Sequence, residues 1–374
     1  MKLLVCISCI LFQVSAYRPI SSRHSVKHRV HPVQSLSEKP LNFNDKPSNS
    51  IFDPFLEPKA VAVSPVSSDL FSNLWTARIS LLVVSALYGS NFGCVKILNQ
   101  ALDPSFAAAM RFSLAGLVFF PSLIKAKLSN KFQIPITAGL EIGLYSAIGY
   151  WAQAEALKTT SASTAAFICS LAVLVVPLLD LLLKPKKENG RSTIDTMVPA
   201  LLATCGVACL ELGGTELPGV GDLLAFVQPL AFGLGFWRVE EHMKSMRSSE
   251  ETVAFTGVMM ATVGLFSWLW VVFDSVHQGG DWMARIMTNF AHVNDWTVVE
   301  AILWTGLITT ALTCFIENAS MKNLSASEST VIYSTEPLWG TAFESVALGE
   351  HIGKHQHYTH AYLFLTSYGT FLTS

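Results

Sequence analysis

Nine apolar segments follow one another along the chain between Trp75 and Glu350, with short polar connections between them. They lie near 79–98, 104–124, 136–156, 160–183, 194–213, 220–241, 252–273, 297–317 and 325–348. A helix needs about 20 consecutive apolar residues to cross the hydrocarbon core of a bilayer, so each segment predicts one transmembrane helix. The pattern therefore predicts an all-α integral membrane protein.

The fourth and ninth segments share one pattern of polar residues. When 158–186 is laid over 322–350 without a gap, Lys158 matches Lys322, Ser161-Ala162-Ser163 matches Ser325-Ala326-Ser327, Ile168 matches Ile332, Ser170 matches Ser334 and Asp180 matches Glu344. This is an internal repeat. Because the two copies are five segments apart, an odd number, they enter the membrane in opposite senses. Inverted repeats are a frequent plan of secondary transporters, whose substrate site lies between the halves.

Basic residues are concentrated on one side of this predicted membrane. The connections after the second, fourth and sixth segments carry Lys125, Lys127, Lys131, Lys184, Lys186, Lys187, Arg191, Lys244 and Arg247. The opposite connections carry little beyond Lys158 and Arg285. Positive charge in short loops marks the cytosolic side, so we expect the basic side to face a cytosol-like compartment.

The residues before the first segment have the composition of a targeting leader. Residues 1–16 contain one Lys and an apolar core of about 14 residues, which is too short to span a membrane and is typical of a signal peptide. Residues 17–75 begin with a stretch rich in Arg and Ser and free of acids, as in an organelle transit peptide, and continue as a linker that we expect to be disordered. This order resembles the bipartite plastid leaders of algae with red-derived plastids. The alternative is a secretory signal followed by a disordered tail.

Composition and charge exclude several other classes of function. The chain is 51% hydrophobic and 14% charged, whereas soluble domains have about a quarter charged residues. A net charge of -2 provides no basic face, so we expect no nucleic-acid partner. All ten histidines lie outside the segments or at their edges, and the chain has no Gly-rich phosphate loop. We therefore expect no enzyme activity, no cofactor and no metal site.

Three motifs resemble the EamA-type branch of the drug/metabolite transporter superfamily. The first segment contains Tyr88-Gly-Ser-Asn-Phe92 and has Lys96 near its end, and Arg111-Phe112 follows early in the second segment. GVGDLLAF at 219–226 is similar to the start of the sixth family helix. SASEST, EPLWG and LGE in 325–350 are similar to the ninth family helix. The resemblance covers 79–350. It implies two inverted five-helix repeats, ten helices in all, and the export or exchange of small metabolites without ATP.

The end of the chain departs from this plan. On the family pattern the first repeat is 76–213, with five helices, and the second is 219–350, with four. The tail at 351–374 has four histidines and an apolar end of about 14 residues, too short to cross a membrane, so the tenth helix is atypical or missing. We favour an altered terminus over an incomplete second half, and chance over metal binding for the histidines.

Glu336 is the strongest candidate for a functional side chain, because an ionisable group at membrane depth is costly and usually faces a cavity. On a continuous helix it would share one stripe with Ser329, Tyr333, Gly340 and Glu344, and Pro337 would free an upstream carbonyl. Such a stripe would bind a cation, an amine or a coupling proton. The alternative is that Glu336 pairs with a Lys or Arg of another helix. The equivalent residue of the first repeat is Ala172, so we expect only one acid at this depth.

Other candidates have weaker support. Arg111 and Lys96 are cations for an anionic substrate group or for pairing with Glu336, and Asn91 belongs to the motif of the first segment. Asp180 and Glu344 correspond in the repeat but lie near helix ends, and we expect Glu155, Gln153 and Glu317 close to the membrane edge. Glycines at spacings typical of close helix contact are Gly89, Gly93, Gly139, Gly143 and Gly340.

The sequence therefore predicts a secondary transporter of a small metabolite in a plastid membrane, with the lipid bilayer and the substrate as its partners and protons as the candidate for coupling. A structural membrane protein and an exporter of the secretory pathway or plasma membrane are the alternatives; a channel suits the inverted-repeat plan less well. Sugars, triose-phosphate-like compounds, amino acids and other organic ions all stay open as substrates. The scarcity of Arg and Lys at helix depth favours the less charged ones. The oligomeric state is open.

Overall fold

The computed structural model describes residues 73–128, 133–183, 201, 204, 219–277 and 282–343. The leader at 1–72, most of the predicted fifth segment, Glu344 and the tail at 351–374 lie outside these residues. Within the described ranges all regular structure is helical. The prediction of an all-α protein is confirmed.

Within the described ranges, the helices with defined bounds are five in the first half and, in the second half, eight α-helices and one π-helical stretch. In the first half they are α1 (Leu74–Ala101), α2 (Pro104–Leu128), α3 (Gln133–Ala156), α4 (Ala162–Ser170) and α5 (Ala172–Leu183). In the second half they are α6 (Val220–Ala225), α7 (Val227–Ser245), α8 (Ser249–His277), α9 (Trp282–His292), α10 (Trp296–Leu303), a π-helical stretch (Trp304–Leu312), α11 (Thr313–Ser320), α12 (Ala326–Tyr333) and α13 (Glu336–Phe343).

Six helical stretches in the described part are long and apolar enough to cross a membrane. They are Leu74–Ala101, Pro104–Lys125, Ala162–Leu183, Val220–Ser245, Ser249–His277 and Trp296–Ser320. Large apolar side chains such as Leu117, Leu182 and Phe273 are exposed on their outer faces, where lipid rather than water would surround them. The protein is a multi-pass integral membrane protein, as the hydropathy pattern predicts.

The two repeat copies have the same local structure. Ser161 and Ser325 cap α4 and α12, and their hydroxyls accept hydrogen bonds from backbone N–H groups three residues later at 3.0 and 3.2 Å. At the end of each helix a second serine hydroxyl donates to the carbonyl three residues before it, Ser170 at 2.7 Å and Ser334 at 2.6 Å. Such bonds compete with the helical ladder and bend or end a helix.

Both copies are therefore broken helices, and the single continuous helix predicted for 325–348 is wrong. We call the interruption at Leu171 the first break and the interruption at Ser334-Thr335 the second break. The next helices begin at equivalent positions, α5 at Ala172 and α13 at Glu336. Pro337 consequently lies in the first turn of α13, where its missing N–H has no helical partner to lose.

Glycines allow the helices around these breaks to approach closely. A Cβ on Gly89 of α1 would lie 2.6 Å from the backbone nitrogen of Gly340 in α13, and one on Gly93 would lie 2.9 Å from the ring of Phe343. A Cβ on Gly139 of α3 would lie equally close to Val258 of α8, and one on Gly143 equally close to Thr262. These contacts bring α1 against α13 and α3 against α8, which places the second break in the interior.

On the side of the membrane opposite the basic loops, α9 packs against the turn between α1 and α2. Arg285 donates two hydrogen bonds to Asp103, from Nε to Oδ2 at 2.8 Å and from Nη2 to Oδ1 at 3.0 Å. Asn289 donates to the same carboxylate at 2.9 Å. The hydrogen bond from Arg285 is the main reason why the pKa of Asp103 lies below its usual value.

Candidate functional site

A cavity of about 70 Å³ lies between the two repeat copies, enough room for roughly five water-sized atoms. The first break contributes Cys169, Ser170 and Ala172 to its wall, and the second break contributes Thr330, Tyr333 and Glu336. The remaining wall comes from α1, α3, α7, α8 and α11. Discontinuous helices that meet between repeats are where transporters place their sites.

Glu336 is the first residue of α13 and lines this cavity with a side chain that is 7% exposed. In the described ranges its carboxylate has no hydrogen bond and no ion pair, so the Lys or Arg partner that sequence reasoning allowed is not found there. A carboxylate at a helix N-terminus is favoured by the helix dipole. The charged side chain whose field acts on Glu336 is Glu317.

Glu317 of α11 is a second buried acid in the same cavity, with 5% exposure. Its Oε2 atom accepts hydrogen bonds from the hydroxyls of Tyr88 at 2.8 Å and Tyr333 at 3.1 Å. The cavity therefore holds two acids, whereas comparison of the repeat positions led us to expect one. Gln153 is also buried and lines the cavity, and the location of both residues near the membrane edge stays a prediction.

The contact between Glu317 and Tyr333 results from the path of the chain around the second break. The eighth segment was predicted to end at Glu317, but the helical structure runs to Ser320, and the break brings Tyr333 back into contact with Glu317. One sequence signal was available. The repeat register pairs Gln153 with Glu317, so a polar side chain occupies the same position in both halves.

Asn91 connects the polar side chains at one end of the cavity. Thr309 donates to its Oδ1 atom at 2.9 Å, and its own amide donates to Gln153 Oε1 at 3.4 Å. Thr309 belongs to the π-helical stretch, a form of helix that is frequent at functional sites. The bonds join α1, α3 and the π-helical stretch, and thus both halves of the molecule.

Arg111 is buried at 4% exposure but does not line the cavity. Its guanidinium carbon lies 4.5 Å from the ring centre of Phe112 and 5.2 Å from that of Tyr150, within the range of cation–π attraction. Its Nε atom has no hydrogen-bond partner in the part of the chain that the structure describes. Tyr150 lines the cavity, whereas Arg111 contacts that ring from outside the cavity wall and makes no ion pair with Glu336.

The other predicted residues lie away from the cavity. Lys96 is half-buried and outside the cavity wall. Asp180 accepts a hydrogen bond from Trp237 at 2.8 Å and one from Ser327 at 3.5 Å, which holds α5, α7 and α12 together. Ser329 donates to the carbonyl of Ser325 within its own helix at 2.9 Å, and Glu344 lies outside the described residues. The predicted stripe is therefore reduced to Tyr333 and Glu336 at the cavity.

Comparison with known proteins gives three findings. The profile of the EamA-like transporter family matches residues 75–210 and 219–372, so its second match includes most of the tail. An uncharacterized transporter of Archaeoglobus fulgidus is 26% identical over 274 residues, which are 73% of this chain and 79% of that protein. A solved structure described only as "Crystal structure of protein" has a TM-score of 0.55 at 16% identity and covers 78% of this chain and 95% of its own. At that identity the likeness concerns the fold alone.

Proposed function

The chain belongs to the EamA-like transporter family, and from that membership we propose that it is a secondary transporter that moves a small organic metabolite by alternating access. Family and relative indicate a membrane transporter rather than an enzyme. The repeats at 76–213 and 219–350 are the two halves that move, and the cavity between the breaks is the substrate site. Glu336 is the residue that couples transport to protons.

The observation that supports this role is the position of Glu336. It is buried, without a partner in the described ranges, and located at the first residue after the second break. A carboxylate that loses water without gaining a partner is costly as an anion, so it is stabilised by a proton or by a cation that enters with it. Closure of the cavity to water would therefore favour uptake of a proton by Glu336. The titratable group that acts on Glu336 is Glu317 of α11, and Glu336 in turn acts on Tyr333 of α12 and Cys169 of α4.

The membrane in which it acts is the plastid envelope. Support comes from the leader, since the signal-like residues 1–16 are followed by the acid-free stretch that begins at Tyr17. A reporter fused to residues 1–75 should reach the plastid in an alga with red-derived plastids. Retention of the reporter in the secretory pathway would contradict the plastid location and favour an endomembrane or plasma-membrane exporter.

The central experiment reconstitutes the full chain in liposomes loaded with a pooled metabolite extract. We expect one class of compound to leave by a pH-dependent route, measured by mass spectrometry, and Glu336→Gln to abolish the pH dependence. Glu155→Gln is the matched control, because Glu155 pairs with Lys158 at 2.8 Å away from the cavity and should transport normally.

Two outcomes contradict the proposal. Full retention of pH-driven transport by Glu336→Gln would remove Glu336 from the coupling step. Compound release no greater than from protein-free liposomes would favour a structural membrane protein.

A further inference from the structure

The wall of the cavity combines two acids with aromatic rings. The carboxylates are Glu317 and Glu336, and the rings belong to Tyr88, Phe92, Tyr150, Phe232, Phe236 and Tyr333. Among the residues that the structure describes, no Lys and no Arg reaches this wall. We propose that the cavity binds a small organic ammonium ion, with Glu317 as its ionic partner, a proposal that rests on the transport function of this site.

The hydrogen bonds of Glu317 leave one of its oxygen atoms for a ligand. Tyr88 and Tyr333 both donate to Oε2, whereas Oε1 has no donor from the described part of the chain. An ionised carboxylate accepts at both oxygens, and donors to one of them stabilise the charge without occupying the other. A primary ammonium group in the cavity would donate to Oε1.

The rings beside Glu317 suit the rest of such a ligand. The centres of Tyr88 and Tyr333 are 5.8 Å apart with their planes at 65°, and Phe236 lies 5.4 Å from Tyr333. Ring faces attract cations and also accept methylene and methyl groups. An ammonium ion next to Glu317 would therefore have the carboxylate as its ionic partner and aromatic residues among its other neighbours.

The balance of buried charge also favours a cation. Five charged side chains are buried in the described ranges: Arg78, Arg111, Glu240, Glu317 and Glu336. Arg78 is paired with Glu328 at 2.6 Å, and Glu240 is paired with Lys244. Arg111 is then left as one positive charge against the two cavity acids. When both cavity acids are ionised, one cation or one proton neutralises the remaining charge, whereas an anion would add to it.

Anionic substrates are further disfavoured by the location of Arg111. Its guanidinium lies against the rings of Phe112 and Tyr150, and Arg111 itself does not line the cavity. Among the described residues, a carboxylate or phosphate in the cavity would therefore find no Lys or Arg in the wall as its ionic partner. The two acids thus have separate ligands, the ammonium group for Glu317 and a proton for Glu336, and either ligand by itself balances the charge of Arg111 and the two acids.

The test is a binding measurement on the full chain in detergent micelles. The probes are isobutylamine, which is cationic at neutral pH, isobutanol and isobutyrate, which have nearly the same size and differ in charge. Binding is followed at constant ionic strength as the rise in unfolding temperature reported by tryptophan fluorescence. We expect only the ammonium ion to stabilise the protein.

Three variants make the result specific. Glu317→Gln should weaken isobutylammonium binding by about tenfold or more, since the charged partner is lost. The double variant Tyr88→Phe, Tyr333→Phe keeps the carboxylate and should weaken binding several-fold, which provides a second reading if Glu317→Gln folds poorly. Glu155→Gln should bind like the unaltered chain.

The proposal is overturned by stabilisation with isobutyrate equal to that with isobutylammonium, by unchanged ammonium binding in Glu317→Gln, or by no stabilisation with any probe. Its failure can be told apart from a failure of the transport function. Ammonium binding without metabolite release from liposomes would support the ammonium site and contradict the transport function. Release of a neutral or anionic compound that depends on Glu336 would support the transport function and contradict the ammonium site.

Discussion

Tyr88 and Tyr333 donate their hydroxyls to the same atom, Oε2 of Glu317, at 2.8 and 3.1 Å. Tyr88 lies on α1 in the first half, and Tyr333 ends α12 in the second. The Glu317 carboxylate therefore joins the two halves and also lines the cavity. Its ionised form depends on both donors.

This shared carboxylate predicts a non-additive effect on stability. Tyr333→Phe alone should lower the free energy of unfolding by about 1 kcal/mol, because one donor remains. The double variant with Tyr88→Phe should cost more than the sum of the two single variants, since Glu317 then has no donor from these helices. Reversible unfolding in micelles measures both values. Tyr145→Phe, whose hydroxyl has no hydrogen bond in the described residues, serves as the control, and strictly additive costs would argue against a shared acceptor.

The contact between Gly89 and Gly340 predicts a large effect of a single methyl group. A Cβ at Gly89 would lie 2.6 Å from Gly340 N and 2.9 Å from Glu336 O. These are backbone atoms that cannot rotate away, so Gly89→Ala should lower the free energy of unfolding by about 1–3 kcal/mol. Gly116→Ala is the control, because the nearest atom to its Cβ lies at 4.0 Å and Ala is the better helix former. Equal stability of the two variants would contradict the close approach of α1 and α13.

The equivalence of Ala172 and Glu336 predicts that a carboxylate can be moved between the halves. Both residues start a helix after a break and both line the cavity. In liposomes, Glu336→Ala combined with Ala172→Glu should recover several-fold more pH-driven transport than Glu336→Ala alone. The combination with Ala172→Gln has the same size without the charge and should recover nothing. If both combinations recovered equally little transport, a carboxylate at position 172 could not replace the one at position 336.

The ion pair between Asp103 and Arg285 predicts the pH range over which α9 stays packed against the turn between α1 and α2. The pKa of Asp103 is lowered in the folded protein, mainly by the hydrogen bond from Arg285. An acid whose pKa is lowered by folding contributes its full stability above its unfolded-state pKa of about 4. That contribution is lost as the pH falls through its folded-state pKa. Hydrogen exchange of the α9 amides, corrected for intrinsic rates, should therefore be constant from about pH 5 to 8.

Asp103→Asn tests the same contact at neutral pH. It should speed exchange in α9 over that whole range, because a neutral amide cannot replace the ion pair with Arg285. A change in protection between about pH 6 and 8 in the unaltered chain would contradict the assignment of this contact to Asp103.

The sequence was a good guide to the helices and a poor guide to where they end. Hydropathy depends on the length and polarity of a segment, so it identified the segments of α1, α2 and α8 and the multi-pass architecture. It carries no signal for the second break, because Ser334 and Thr335 are small residues that a helix tolerates and their effect depends on hydrogen bonds to the backbone. Ser161 and Ser325 were visible as matched residues, but their capping role required the folded geometry.

Part of the candidate site was predictable for a different reason. Glu336 was found because an acid in an apolar run is costly on its own, whatever surrounds it. Glu317 was ranked low because its depth was estimated from the end of a segment, and segment ends are the least certain feature of hydropathy. Its value to the site depends on Tyr88 and Tyr333, which come from helices that no local pattern places together.

The matched serines and the unmatched acid have a consequence for how the two halves diverged. After a duplication, each copy can change wherever the other still supplies what the molecule needs. Here Ser170 and Ser334 keep the same hydrogen bond, while the residue that starts the next helix is Ala172 in one half and Glu336 in the other. The bend is therefore present in each half, whereas a carboxylate at the start of the next helix is present in one half alone.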